Sequence, residues 1–109
     1  MWFGIGMTRE QELGIPLLVK LCSDRAAYEV RMQSQTVFNM EKVKELLEAA
    51  HNHEIIVYTP HMIILRSGGA EVTFSRDGRM LIKKVSNEAE ATEIAQKIFQ
   101  TALSAAIKH

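Results

Sequence analysis

Cysteine occurs once in this chain, at Cys22, so no internal disulfide can form. That count fits a reducing compartment, and a cytoplasmic location is the expectation. Long apolar runs are also missing. Ile55-Ile56-Val57-Tyr58 and Met62-Ile63-Ile64-Leu65 fall far short of the ~20 residues a bilayer-spanning helix needs, so no membrane partner is expected. Nor does either charge dominate: 13 Lys and Arg stand against 13 Asp and Glu, with a pI near 6.9. The basic surplus of a typical phosphate-backbone binder is therefore lacking. No catalytic or cofactor motif stands out, so neither an enzyme nor a bound cofactor is expected.

What is present is a balanced composition. The 109 residues are 47% apolar and 24% charged, the size and balance of one soluble domain. The apolar opening Met1-Trp2-Phe3-Gly4-Ile5-Gly6-Met7 lacks the basic start, longer apolar core and cleavage site of a signal peptide, and Met7 is an alternative start. Thr8 and Gln11 have capping-box spacing, and Gly14 closes a turn or very short helix. Within residues 15–25, Pro16 suits a first helical position, and Leu17, Leu18, Leu21 and Cys22 share one helical face. The run Leu17-Leu18-Val19 equally suits a buried strand. A helix is the preferred reading.

From residue 26 the pattern changes to period two. Tyr28, Val30 and Met32 alternate with Glu29, Arg31 and Gln33, as in a strand covered on one side. Asn39 can cap a helix over residues 40–52, whose apolar stripe is Val43, Leu46, Leu47 and Ala50. Residues 54–85 predict four strands, separated by the Thr59-Pro60-His61 corner and by turns at Ser67-Gly68-Gly69 and Arg76-Asp77-Gly78. A last helix begins at Ser86 or Asn87, runs for about 30 Å, and buries Ala91, Ile94, Ala95, Ile98, Ala102 and Leu103. Its second half, residues 98–107, carries no charge, so more than one side is expected to be covered.

The expected fold is therefore α+β: a single antiparallel sheet of about five strands with two helices on one face, in the order strand, helix, four strands, helix. Residues 1–25 are expected to form an N-terminal arm and residues 26–109 the module. This order, together with Phe74-Ser75, Gly78-Arg79-Met80 and the segment from Ser86 to Glu90, resembles one repeat of the TATA-box-binding protein fold. The Asp-Gly-Arg hairpin is also similar to the C-terminal tails of ubiquitin-activating-like adenylyltransferases. The first resemblance implies a DNA-binding saddle, which a one-repeat chain would build only as a symmetric dimer. It further implies an apolar open face whose phenylalanines wedge between base steps. Alternation here predicts the opposite. Glu29, Arg31, Gln33, Glu71, Thr73, Ser75, Arg79, Leu81 and Lys83 would face outward, a polar mosaic, with Phe74 in the core.

Candidate sites follow from this layout. The basic group Arg31, Arg66, Arg76, Arg79 and Lys83 is a candidate contact for nucleic acid or another anion, although residues 54–85 hold only five basic against three acidic groups. His51, His53 and His61 are better explained as helix-end and turn residues than as metal ligands, so no metal is expected. Cys22, in an apolar run without a poised base, is expected to be an inert thiol. Strands apolar on both faces are normally covered on both. The run at 55–58 and the run at 62–65 therefore call for a cover that two helices on one side cannot give. The arm, a second copy of the chain or a ligand would serve, and a homodimer is preferred. Its expected interface is Ile56, Tyr58, Ile63, Leu65, Leu81, Phe99, Leu103 and Ile107. The expected function is a non-enzymatic protein-interaction and homodimerisation module, with nucleic-acid binding as the alternative.

Overall fold

The structure is a computed structural model, described here for residues 2–4, 17–22, 27–33 and 35–107. The elements are β1 (Trp2–Gly4), β2 (Leu17–Cys22), β3 (Ala27–Met32), β4 (Val37–Phe38), α1 (Met40–Ala50), β5 (Glu54–Tyr58), β6 (Met62–Ser67), β7 (Ala70–Ser75), β8 (Arg79–Lys83) and α2 (Glu88–Ala102). A short 3-10 turn (Leu103–Ala105) and β9 (Ala106–Ile107) follow. Seven strands form one sheet in the order β1-β2-β3-β8-β7-β6-β5, and every neighbouring pair is antiparallel. β4 and β9 make a separate two-stranded pair. The fold is thus α+β, with a larger sheet than the sequence pattern predicts.

The additional strands come from the N-terminal side. Residues 17–22 form a strand, not the preferred helix: Leu17 and Val19 are buried, and all six residues pair with β3. Six ladder pairs and two core side chains outweigh the local helical stripe, because propensity yields to tertiary pairing. This segment therefore widens the sheet in its own plane and does not lie across it as a cover. The expected turn at Thr8–Gly14 and the environment of the Cys22 thiol lie outside the described residues and side chains.

Alternation decides what enters the core. Val30, Ile63, Leu65, Val72, Phe74, Met80 and Ile82 are fully buried on one side of the sheet, together with Val43 and Leu47 from α1 and Ala91, Ala95, Ile98 and Phe99 from α2. Three rings tie the layers together. Phe74 of β7 meets Phe38 of β4 edge-on at 5.1 Å between centroids and Phe99 of α2 at 5.6 Å. Each such contact adds about 0.5–1.5 kcal/mol beyond simple burial.

Both helix starts follow their sequence signals. The Asn39 side chain accepts a hydrogen bond from the Lys42 N–H, and that of Asn87 from the Glu90 N–H, satisfying amides the helices cannot. The Glu90 carboxylate in turn accepts from the Ser86 N–H. α1 stops at Ala50, where His51 takes a left-handed conformation (φ 63°) and donates its N–H to the Glu48 carbonyl.

The last helix is shorter than expected, at 15 residues. Residues 103–107 leave it to form the 3-10 turn and β9, which pairs with β4, while the Asn39 N–H donates to the Ala105 carbonyl. The uncharged stretch is thus explained by a change of structure and not by a helix covered all round. No helix among the described residues is long and apolar enough to cross a membrane.

Candidate interaction surface

The sheet has a side turned away from the core, and the strand pairings place its residues in rows. One row runs Lys20, Glu29, Leu81, Thr73, Ile64, Val57 across β2, β3, β8, β7, β6 and β5. The next runs Lys83, Glu71, Arg66, Glu54, alternating in sign from strand to strand. Arg66 donates to the Glu54 carboxylate at 3.0 Å, and Lys84 lies 3.9 Å from Glu71. Directly opposed residues of opposite charge stabilise neighbouring strands modestly, and these exposed pairs contribute at most about 1 kcal/mol each. Leu81, on the central strand, and Ile64, on the strand next to the β5 edge, are only partly exposed.

Apolar exposure concentrates at one edge. β5 ends the strand order, so one side of its backbone has no strand partner among the described residues. Its side chains Ile56, Val57 and Tyr58 are 43%, 39% and 36% exposed, three large apolar groups in succession. The cause is local. Pairing with β6 shifts between Ile55, opposite Leu65, and Val57, opposite Ile64, so Ile56 is an extra, bulged residue. Two-residue alternation breaks there, and Ile55 alone of the apolar run packs against the core. At the far end of β5 the Lys44 ammonium of α1 lies 5.8 Å from the centre of the Tyr58 ring and pairs with Glu48. Thr59 fixes the following corner: its hydroxyl accepts from the His61 and Met62 N–H groups, and its N–H donates to the Met62 carbonyl.

The expected interface residues divide accordingly. Ile56 and Tyr58 lie on this edge, and Leu81 lies partly exposed on the outer side of the sheet. Leu103 and Ile107 are both 43% exposed, but on the 3-10 turn and β9. Ile63, Leu65 and Phe99 are corrected: all three are fully buried in the core. Ile63 stands opposite Phe74 and Leu65 opposite Val72, so they share the inward side of their partners. Val57 was absent from the expected set because regular alternation hides it. The signal for it is the unbroken apolar run at 55–58.

The basic candidates do not converge. Arg31 and Arg79 stand opposite one another on β3 and β8, Lys83 lies beside Glu71, Arg66 is held by Glu54, and Arg76 occupies the turn between β7 and β8. A cleft of about 300 Å³ beside Arg31 is lined by Met32, Gln33, Gln35, Thr36 and Asp77 among others. Phe74 is fully buried and so is not presented as a wedge. His53 is half-buried, 3.2 Å from the Ser67 hydroxyl, and desolvation together with the Lys97 charge lowers its pKa from the usual 6.5. Among the described residues no three His, Cys, Asp or Glu side chains converge as metal ligands.

The chain matches no known family profile, no curated protein and no solved structure.

Proposed function

We propose that this chain is a non-enzymatic protein-interaction module that acts as a homodimer. The observation that carries the reading is the apolar β5 edge, where Ile56, Val57 and Tyr58 are exposed beside backbone that has no strand partner among the described residues. Apolar edge strands invite pairing with another chain, and natural proteins normally blunt them with charge or proline. Between Glu54 and Tyr58 there is one charge, at the first position, and no proline. Water contact at these three side chains is costly, and burying them against a partner removes that cost. A second copy of the chain is always present at the concentration of the first.

Gel filtration with light scattering at concentrations up to hundreds of micromolar tests the proposal. A mass approaching twice 12.3 kDa is expected. A constant monomer mass over the whole range would reject it.

A second reading, nucleic-acid binding across a dimeric platform, draws support from Arg31 standing opposite Arg79, with Lys83 on the same side. Glu29 and Glu71 on that side oppose it, since carboxylates repel phosphate. It predicts affinity for single- or double-stranded nucleic acid that falls steeply with salt, and absence of any mobility shift at low salt would dispose of it.

A further inference from the structure

We infer that the cleft beside Arg31 binds a free α-amino acid, holding its carboxylate at Arg31 and its ammonium at Asp77. This goes beyond the homodimer reading and is independent of it, since β8, β7 and β6 lie between β3 and the β5 edge.

Two opposite charges reach the cleft from different elements. Arg31 comes from β3, and Asp77 from the turn between β7 and β8. The two are not joined to one another as an ion pair. Its own turn holds the Asp77 carboxylate in place: Oδ1 accepts from the Arg79 N–H at 3.2 Å, while the Gly78 N–H donates to the Ser75 carbonyl. An ionised carboxylate has further lone pairs to offer an ammonium group. A guanidinium has five N–H donors in a planar fork, so Arg31 can hold a carboxylate through two of them and keep its other contacts. Arg79, which follows Gly78 in the chain, stands directly opposite Arg31. Opposed like charges destabilise a strand pair, and a carboxylate bound beside them offsets that repulsion. A simple anion would also meet Asp77 as a like charge. A ligand carrying both charges suits both sides of the cleft.

The rest of the lining fits a small polar molecule. Gln33, Gln35 and Thr36 bring amide and hydroxyl groups that both donate and accept. Leu18 and Met32 are partly exposed and offer apolar contact to a few methylene groups. The volume of about 300 Å³ stands at the small end of the roughly 300–1,000 Å³ of ligand pockets, which suits an amino acid of glutamine's size. Arg31, Gln33, Gln35 and Asp77 are all exposed, so the site is open to water and binding is weak and rapidly reversible.

Amide NMR spectra of the wild-type chain, titrated with L-glutamine into the millimolar range, test the inference. Saturable shifts are expected at Arg31, Gln33, Thr36 and Gly78. Arg31→Gln and Asp77→Asn each remove one charge at an exposed position, and asparagine keeps a side-chain oxygen for the Arg79 N–H. Both variants should keep the wild-type circular dichroism spectrum and bind L-glutamine at least ten-fold more weakly. Butyrate and n-butylamine, which carry one of the two charges each, should bind the wild type at least ten-fold more weakly than L-glutamine does. Butyrate or inorganic phosphate binding as tightly as L-glutamine would overturn recognition of the amine. Unchanged affinity in both variants, or no saturable shift with any probe, would overturn the site. None of these results bears on the mass that light scattering reads, so failure here is distinct from failure of the homodimer reading.

Discussion

Gly78 shows how much one position can fix. It has φ +89°, and a Cβ added there would lie 3.1 Å from the Thr36 carbonyl oxygen and 3.4 Å from the Phe38 ring. Glycine is needed both for the backbone conformation of the turn and for close packing of the segment that enters β4. Gly78→Ala is expected to lower stability by about 1–3 kcal/mol, measured by urea denaturation. His53 sets a pH dependence. Because burial and then Lys97 lower its pKa below 6.5, the unfolded chain binds its proton more readily than the folded one. Its contribution to stability is therefore complete above pH 6.5 and is lost as the pH falls toward the folded-state pKa. Denaturation midpoints of the wild type should fall more steeply below pH 6.5 than those of His53→Gln; parallel curves would contradict this assignment.

At the scale of elements, the strands around the two hairpin turns were legible because their turn chemistry and alternation agree. Asp77-Gly78 closes β7 onto β8, and Val72, Phe74, Met80 and Ile82 all enter the core as their spacing requires. The Gly68-Gly69 loop also contains the register of β6: Ser67 opposite Ala70 forces Leu65 opposite Val72 and Ile63 opposite Phe74. Alternation taken one strand at a time misses that constraint, which is why Ile63 and Leu65 looked available for an interface. β2 was not legible, since six residues with mixed helical and strand patterns are decided by the β3 edge they pair with. The edge position of β5 was equally hidden, because strand order is a long-range property and the bulge breaks its period. That position makes a further expectation specific. Val57→Lys puts a charge on an exposed edge residue, so it should reduce dimer affinity at least ten-fold in sedimentation velocity while leaving the circular dichroism spectrum and urea midpoint nearly unchanged. Loss of fold with no change in association would place Val57 in the core balance instead.

At the scale of the molecule, two kinds of surface divide the sheet. Its outer side carries a charged row, Lys83, Glu71 and Arg66 on β8, β7 and β6 and Glu54 at the start of β5, in alternating sign beside partly exposed Leu81 and Ile64. Such a mixed surface can face water without a cover. The β5 edge cannot do so at equal ease, since beyond Glu54 its exposed side chains, Ile56, Val57 and Tyr58, are apolar and its outer backbone lacks a strand partner among the described residues. The proposed dimer contact therefore lies at the rim of the sheet and not over its centre. Amide hydrogen exchange of the wild-type chain, followed residue by residue from low to high micromolar concentration, tests this most directly. The account predicts that outward-facing amides within 54–58 slow as concentration rises while those of β7 stay constant; exchange at 54–58 independent of concentration would contradict it.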